Sequence, residues 1–430
     1  MDRLKRGLAA VALIAGFASP GFTMGLEVAN TDSFNMNIGG RIQEVAYGEL
    51  LHDPVPKKDN GRLYLFLKQA RLNINGRVEG VKYNTEWVGA AEDVNGSNNG
   101  LTLLDFWFDV PVFHSDNVWF RVGQFKVPYG REQINEDGSF QFVERSFNNF
   151  GFNLGRDYGA AVHAYAGKFA AGAGVFSGGA RDVPLRFLPE HLGSPGMFAV
   201  RLGLNDGLDK DLFSITQNDM HPERTVWGTF LSGMYMKDTR IGHSTVLNVR
   251  TAEKQVLLNP NWNPYLAMAP LDRATFEQGG WDAAIRGPLG SKSAWTAEAQ
   301  VDVSHFQNKY GRLTNHGARV QTGILVNKFE AAIRYAVLQL DNDMSQGGIR
   351  FAQTPIQEVT PAFSYYMRGH DNKVVVDFPI LIGVPTFVEN AAGTYVGVEQ
   401  PDQATVIKPA TGSLQRQTVP EMRIMYQLAF

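Results

Sequence analysis

Apolar and polar residues alternate with a period of two along most of the chain. In the first run, Phe34, Met36 and Ile38 share one parity, and polar residues lie between them. Successive side chains of a β-strand point to opposite faces, so each run predicts a strand with one apolar and one polar face. Comparable runs follow near residues 62–78, 81–87, 104–110, 118–122, 157–167, 169–177, 197–204, 228–237, 243–251, 280–287, 294–305, 317–326, 328–340, 356–368 and 371–379. The pattern predicts an all-β chain.

Lys68 interrupts the alternation of the second run. It falls on the apolar side, so either a β-bulge shifts the phase there or Lys68 lies near a membrane interface. Breaks rich in Gly, Asn and Asp separate the runs, as expected for turns and loops. The breaks near 46–61 and 93–100 predict loops at one end of the strands, and short turns near 79–80 and 113–117 are predicted at the other.

The last run reaches the C-terminus and ends on an aromatic residue. Its apolar face consists of Met422, Ile424, Tyr426, Leu428 and Phe430, opposite Arg423 and Gln427. A soluble β-sandwich would also alternate, but a terminal Phe on such a face gains lipid contact only in a membrane-embedded strand. The residues Tyr426, Leu428 and Phe430 resemble the C-terminal signature that outer-membrane assembly machinery reads in bacterial barrels.

The N-terminus predicts export. Arg3, Lys5 and Arg6 precede the apolar run Leu8–Ala18, which is typical of a signal peptide over residues 1–24, cleaved between about 18 and 24. The remainder, 25–430, contains no apolar run of the roughly 18 residues that a membrane helix needs. The nearest run, Val374–Val388, is broken by prolines and predicts strands around a turn. A membrane-spanning chain of this kind must form a closed barrel, because open sheet edges cannot be satisfied in lipid.

Composition excludes several classes of function. The chain has 430 residues, and its 40 Lys and Arg against 43 Asp and Glu give a net charge of −3, which offers no basic field for nucleic acid. The absence of cysteine excludes disulfides, thiolate metal sites and cysteine nucleophiles. The nine histidines form no H-E-x-x-H pair, and Gly242–Val246 lacks the second glycine of a nucleophile elbow. We therefore expect neither an enzyme nor a metal site nor a cofactor.

One polar segment is too long for a turn. Residues 128–156 fall where a third external loop belongs, and five phenylalanines lie between 132 and 156. Loops beyond about 15 residues are usually functional or disordered, and the aromatic content argues against disorder. We predict that 128–156 folds into the lumen and acts as a constriction loop.

The residues around this segment carry a family resemblance. Gly123–Arg131 reads G-Q-F-K-V-P-Y-G-R, Phe142–Ser146 reads F-V-E-R-S, and Gly155–Gly159 reads G-R-D-Y-G. In this order they resemble the phosphate-selective porin O and P family of bacterial outer-membrane porins. Further similarity lies at Gly317–Gly323, Phe329–Tyr335, Leu338–Asp341, Tyr365-Tyr366 and His370–Lys373. The resemblance implies a transmembrane antiparallel β-barrel of 16 strands, assembled as a homotrimer, whose infolded loop and lumen arginines favour anions.

Anions cross a pore where fixed positive charge compensates their lost hydration, so lumen-facing Arg and Lys are the candidate site residues. Arginine suits phosphate because its planar fork donates two parallel hydrogen bonds. Strand parity indicates four wall positions, and the loop with its approach indicates four more: Arg41, Arg71, Arg77, Arg121, Lys126, Arg131, Arg145 and Arg156. The alternative for Arg145 and Arg156, which stand beside acids, is that they pair with carboxylates and hold the loop on the wall.

A charge count keeps other functions open. Residues 121–160 contain five bases and five acids, so a general, weakly selective porin and a plugged or structural barrel remain alternatives to an anion channel. The expected partners are small anionic solutes, outer-membrane lipid, the barrel-assembly machinery and two further copies of the chain. The expected location is the outer membrane of a Gram-negative bacterium.

Overall fold

The structure, a computed structural model, describes residues 25–31, 33–53, 58–90, 101–115, 117–178, 196–206, 211–215, 220, 222–239, 274–308, 311–339, 355–389, 395–397 and 414–430. Strands dominate this part of the chain. In order they are β1 Leu26–Asn30, β2 Phe34–Asp53, β3 Lys58–Val78, β4 Val81–Val88, β5 Thr102–Pro111, β6 Val118–Lys126, β7 Arg156–Ala166, β8 Phe169–Phe176, β9 Met197–Asn205, β10 Val226–Thr239, β11 Ala274–Gly290, β12 Ser293–Asn308, β13 Gly311–Val326, β14 Phe329–Gln339, β15 Ile356–Arg368, β16 Asn372–Asp377, β17 Ile380–Glu389, β18 Tyr395–Gly397 and β19 Leu414–Ala429.

The strands close into an antiparallel barrel. Each long strand pairs with the next, and β19 returns to β2 with the register Ala429↔Arg41. β16 and β17 share one position in the barrel, because both pair with β15 on one side and β19 on the other. β1 and β18 are short additions to β2 and β17. The described strands therefore form a 16-stranded barrel, which confirms the predicted fold class.

The two faces of the barrel differ in polarity as the alternation predicts. On β14, Ile333 is half exposed on the outside, whereas its neighbour Arg334 is buried inside. The outside carries an apolar layer that includes Leu65, Phe108, Phe120, Val162, Phe198, Leu231, Val301, Val320 and Phe363. The inside carries buried charges that include Arg201, Asp282, Arg286, Glu298, Arg319, Glu358 and Asp377. This polarity matches lipid outside and water inside.

The register around Lys68 shows that a β-bulge causes the break in the alternation. Gln43 pairs with Gln69 and Glu44 pairs with Leu67, so Lys68 is an extra residue on β3. The bulge turns Lys68 inward, where it is only 3% exposed. The interface alternative is wrong for this residue.

Two other expectations about the strands are wrong. The break near 46–61 is largely strand, because β2 extends to Asp53 and β3 begins at Lys58. The run Val374–Val388 contains no turn: β16 and β17 run in the same direction and are separated only by Phe378 and Pro379. Pro379 lacks an N–H, so the ladder is interrupted there without reversing the chain. The predicted signal peptide 1–24, the loop near 93–100 and the run 243–251 lie outside the described residues.

One end of the barrel has short connections. Glu79-Gly80, Gly167-Lys168, Ser291-Lys292 and Asn327-Lys328 each join two strands in two residues. Glu79 and Gly80 both have positive φ, at 48° and 88°, which matches the twist of a tight hairpin. The C-terminus lies at this end as well. We call it the short-turn end. No helix in the described part of the chain is long and apolar enough to cross a membrane.

Candidate functional site

The segment between β6 and β7, residues 127–155, lies inside the barrel. It contains two short helices, α1 Arg131–Ile134 and α2 Phe147–Phe152, and most of its residues are buried. Several inward side chains of the wall donate to its backbone, among them the Lys373 ammonium to Phe140 O at 2.8 Å and the Gln427 amide to Gly138 O at 2.9 Å. We call residues 127–155 the infolded loop.

Glycines on the inner wall leave room for the infolded loop. A Cβ on Gly317 of β13 would lie 2.0 Å from Asn148 Oδ1, and one on Gly323 would lie 2.4 Å from Gln141 Nε2. Both glycines share the inward parity of Arg319 on the same strand. Larger side chains at these two positions would displace the loop from the wall. The position of the loop therefore depends on glycine at 317 and 323.

Buried ion pairs and charged hydrogen bonds bind the infolded loop to the strands β11–β16. Arg131 of α1 reaches Asp282 at 3.1 Å, and Arg201 approaches the same carboxylate at 2.5 Å. Other links run from Glu132 to Arg319 and Arg334, from Phe147 N to Glu358, from Val143 N to Asp377, and from Asn148 to Asp302. Desolvated charges are costly unless they are paired and hydrogen-bonded, and here each acid serves more than one donor. The paired charges therefore hold the loop against this half of the wall.

Lys68 fastens the loop to the opposite half of the wall, and Arg145 braces the loop internally. The bulge at Lys68 directs its ammonium to Glu144 at 2.6 Å and to the carbonyl oxygen of Val143. Arg145 bonds Asp137 of the loop itself and donates to Glu132 O at 3.2 Å. Arg145 therefore pairs with a carboxylate, as the alternative expected, but its partner is Asp137 of the loop itself, so this pair does not reach the wall.

A cavity of about 340 Å³ remains between the infolded loop and strands β2–β6. Its lining includes four cations, four acids and three aromatic rings. The charged and aromatic lining residues are Arg41, Arg71, Arg121, Lys126, Glu86, Asp105, Glu136, Asp211, Trp107, Phe125 and Phe213. This cavity therefore lies to one side of the lumen, and its wall carries three of the four arginines predicted by strand parity, Arg41, Arg71 and Arg121.

Arg41 differs from the other cavity cations in its partners. It donates to the side-chain oxygen of Gln69 at 3.0 Å and 3.3 Å. Across the described ranges, no carboxylate lies within ion-pair distance of Arg41. A Cβ on Gly138 would meet its guanidinium at 2.3 Å, so the absence of a side chain there lets the loop lie against Arg41. Its charge faces the cavity without a direct counter-ion.

Arg121 is fixed rigidly. Two of its nitrogens bond the two oxygens of Asp109 at 2.7 Å and 2.6 Å. Its guanidinium lies 3.8 Å from the ring centroid of Trp107 and 4.3 Å from that of Phe213. Such bidentate, stacked geometry is specific to arginine. It also means that the charge of Arg121 is largely balanced within the protein.

Two loop acids sit among these cations. Asp137 accepts from Arg71 at 2.7 Å and from Gln69 at 2.8 Å. Burial alone would raise its pKa, but Arg145 and Arg71 outweigh burial and hold the pKa well below its usual range. Burial also acts to raise the pKa of Glu136, yet Lys126 and Arg41 lower it to about 2. Both carboxylates therefore stay ionised at neutral pH.

The remaining predicted residues take separate positions. Lys126 bonds Glu136 at 2.8 Å, and Arg156 bonds Asp105 at 3.0 Å, which places both at the edge of the loop. Arg131 has no solvent exposure and does not line the cavity. Arg77 is exposed near the short-turn end, opposite Lys82 on β4.

Sequence reasoning missed the acids and aromatics of the site. Asp109, Glu86 and Asp105 share the inward parity of their strands, so the same alternation that indicated the arginines could have indicated these partners. Asp211 and Phe213 lie in a connection, and no local signal places them in the lumen.

Known proteins share this fold and part of this sequence. Residues 37–199 match the family model described as "Phosphate-selective porin O and P". The three motifs around the infolded loop lie within that segment, so the resemblance seen in the sequence is confirmed there. No curated protein sequence matches the chain.

Solved porins cover nearly the whole chain. The anion-selective porin from Comamonas acidovorans has a TM-score of 0.55 at 12% identity and covers 92% of this chain and 99% of its own. OmpF of Salmonella typhi in complex with daunomycin has a TM-score of 0.54 at 10% identity and covers 94% of this chain and 100% of its own. The trimer form of OmpT, an outer membrane protein of Vibrio cholerae, has a TM-score of 0.51 at 8% identity and covers 93% of this chain and 100% of its own. At these identities the likeness shows the fold alone, which is that of porins.

Proposed function

We propose that this protein is an outer-membrane porin that passes small anions such as phosphate by passive diffusion. The observation that carries the proposal is Arg41, which faces the cavity beside the infolded loop with a neutral glutamine as its partner. A fixed cation that faces the path without a direct ion pair lowers the barrier for anions and raises it for cations. Arg71 and Lys126 line the same cavity and add to its positive side.

The eight predicted cations divide into two roles under this proposal. Arg41, Arg71, Arg121 and Lys126 line the path, and Arg77 with its neighbour Lys82 draws anions toward the short-turn end. Arg131 holds the infolded loop on the wall through Asp282, Arg145 braces the loop internally through Asp137, and Arg156 links β7 to β5 through Asp105. The match to phosphate-selective porins over 37–199 supports the anion path, since this segment contains the loop and the wall strands β3–β8.

Assembly and location complete the proposal. Residues 1–24 direct export and are removed, and the apolar outer layer contacts outer-membrane lipid. The barrel-assembly machinery recognises the strand that ends with Tyr426, Leu428 and Phe430. The protein works as a homotrimer in the outer membrane of a Gram-negative bacterium. The trimer form of the similar OmpT structure supports this assembly.

A weakly selective general porin is the second candidate. The observation that favours it is the acidic half of the cavity, where Glu86, Asp105, Glu136 and Asp211 match the lining cations in number. A pore with balanced charge at its narrowest point passes solutes mainly by size. Selectivity then depends on how far the field of Arg41 outweighs these acids.

The reversal potential of single channels under a chloride gradient separates the candidates. Purified protein in a planar bilayer should give an anion-selective current, and phosphate added in steps should reduce the chloride current by occupying the site. A large current that phosphate does not block and that shows weak selectivity would favour the general porin. Absence of current from correctly assembled protein would overturn both and favour a plugged or structural barrel.

A further inference from the structure

A second segment enters the lumen from the short-turn end. β9 ends at Asn205 and β10 begins at Val226, so their connection is 20 residues long, whereas the other connections at this end have two to six residues. Lys168, in the two-residue turn Gly167-Lys168, bonds Asp206 at 3.3 Å, which places the start of the connection at this end. Asp211–Ile215 is the described part of this connection that reaches the infolded loop, and we call these five residues the lumen segment.

The lumen segment is bonded to the infolded loop through its backbone. Glu136 N donates to Ile215 O at 2.9 Å, and Ile215 N donates to Ile134 O at 3.3 Å. These bonds form a parallel bridge between Asn135 and Ile215. The hydroxyl of Ser214 adds a hydrogen bond to Glu136 at 2.8 Å. Two segments from opposite ends of the barrel therefore meet inside it and pair.

The lumen segment is also packed against the wall beside Arg121. The ring of Phe213 lies over the Arg121 guanidinium and meets the edges of Phe125 and His163, with centroid distances of 5.3 Å and 5.0 Å. Leu212 N donates to the hydroxyl of Tyr165 at 3.1 Å. Phe213 is 1% exposed, so the segment is packed like a protein core rather than resting in the pore.

Asp211 brings a negative charge to this point. Its carboxylate lies 3.5 Å from Arg121, which Asp109 already binds with both oxygens. About a third of the Asp211 side chain remains exposed, and it lines the cavity together with Phe213 and Ser214. Asp109 already neutralises Arg121, so the carboxylate of Asp211 adds a negative charge that acts on ions in the cavity.

We propose that Asp211 and Phe213 determine the charge and the width of the passage beside Arg121, so that the constriction is built from both ends of the barrel. The inference rests on the proposed porin function. Under it, the ring of Phe213, packed against the wall, occupies part of the lumen and so limits the size of the solute, and Asp211 weakens the attraction that Arg41 and Arg71 exert on anions. The pore thereby binds anions less tightly and releases them faster.

Charge removal at Asp211 tests the proposal with little risk to folding. Asp211→Asn should raise the chloride-to-potassium permeability ratio roughly three- to five-fold, the effect of one unit charge a few ångströms from the path in water. Asp206→Asn is the matched control, because it removes the same charge from the same connection at the short-turn end, where Asp206 is bonded to Lys168 and Arg224. Its ratio should equal that of the unmodified protein.

Side-chain removal at Phe213 tests the width. Phe213→Ala should raise single-channel conductance by roughly 1.5-fold or more, because pore diameter limits passage. Phe198→Ala removes the same side chain from the outer face of β9 and should leave conductance unchanged. Assembly of each variant is checked by the shift in electrophoretic mobility between unheated and heated samples, and Phe213→Leu replaces Phe213→Ala if the latter does not assemble.

The outcomes distinguish this inference from the proposed function. An anion-selective unmodified channel whose selectivity and conductance do not change at Asp211 or Phe213 would overturn the inference and leave the porin function standing. A silent unmodified protein that conducts once Phe213 is removed would support the lumen segment as an obstruction and overturn the open-pore function. Silence in the unmodified protein and in both variants would overturn both.

Discussion

Arg41 and Arg121 both project into the lumen, yet their neighbours give them different electrostatic roles. Arg121 is neutralised by two oxygens of Asp109 and covered by aromatic rings. Arg41 donates only to the neutral Gln69 among the described partners, and it lines the cavity. Inward parity cannot separate these cases, because it identifies the face of a residue and not its counter-ion.

Neutralising Arg41 should reduce anion selectivity. Arg41→Gln removes one charge from the cavity, and we expect the chloride-to-potassium permeability ratio to fall roughly three- to five-fold in reversal-potential measurements. The effect should shrink as salt approaches 1 M, where the Debye length is about 3 Å. Lys168→Gln removes the same charge from an exposed turn. An equal fall in both variants would mean that Arg41 does not face the permeating ion.

The loop carboxylate Asp137 gives a prediction about pH. Its native pKa lies well below that of an unfolded Asp, about 3.9, because Arg145 and Arg71 outweigh its burial. A lowered native pKa stabilises the fold above the unfolded pKa, and this contribution disappears as pH falls through the native pKa. Asp137→Asn should therefore lower the free energy of unfolding by about 3 kcal/mol between pH 5 and 8.

Urea unfolding in lipid vesicles, measured from pH 8 to 3, checks this dependence. The difference between Asp137→Asn and the unmodified protein should be constant down to about pH 5 and should narrow below about pH 4. A difference that instead grows as the pH falls would contradict the assignment of an ionised, cation-bound carboxylate. Asp206→Asn, at an exposed turn, should change the free energy of unfolding by less than about 1 kcal/mol.

At the scale of elements, the infolded loop is held by charge pairs that span the barrel. Arg131 and Arg201 share Asp282, although the three residues come from the loop, β9 and β11. Removing the shared carboxylate leaves two buried arginines without their counter-ion, which typically costs 3–5 kcal/mol. The strands keep their backbone ladders, so the loop should loosen before the barrel does.

Trypsin digestion of the folded barrel tests this anchor. The loop contains two arginines, Arg131 and Arg145, of which the first has no solvent exposure. We expect the loop to resist cleavage in the unmodified protein and to be cut at least tenfold faster in Asp282→Asn. A reduction of about 1.4 kcal/mol in the free energy of loop opening already gives that factor. Glu277→Gln on the exposed face of β11 is the matched control. Equal resistance in all three proteins would show that Asp282 is not needed to anchor the loop.

The elements could be predicted from sequence where the pattern is local. Alternation identified most strands, and the length and aromatic content of 128–156 indicated a special loop. The lumen segment could not be found in this way, because its partners Arg121 and Glu136 lie 75 or more residues earlier in the chain. The break between β16 and β17 was also misread as a turn, since prolines occur both in turns and in interrupted strands.

For the whole molecule, closure of the barrel depends on the meeting of β2 and β19. Phe430 N donates to Gly40 O at 3.0 Å, and Gly40 N donates to Phe430 O at 2.8 Å. A Cβ on Gly40 would lie 2.6 Å from the tip of the Phe430 ring, so the ring covers this glycine. The terminal residue thus completes both the ladder and the apolar surface at the seam, while β1 continues the pairing of β2 beyond it.

The seam gives the prediction for the whole molecule. Phe430→Ala keeps the backbone ladder but removes the ring over Gly40 and the terminal aromatic that assembly machinery is expected to read. We expect the amount of folded barrel in outer membranes to fall several-fold, measured by heat-modifiable electrophoresis of membrane fractions. Phe120→Ala on β6 is the matched control, because both rings are 39% exposed on the outer face. Loss of lipid contact alone would lower the amount of folded barrel equally in the two variants. A larger fall in Phe430→Ala would show that the end of β19 has a role in assembly besides its contact with lipid. Equal yields would contradict an assembly role for this residue and leave the seam dependent on its backbone bonds.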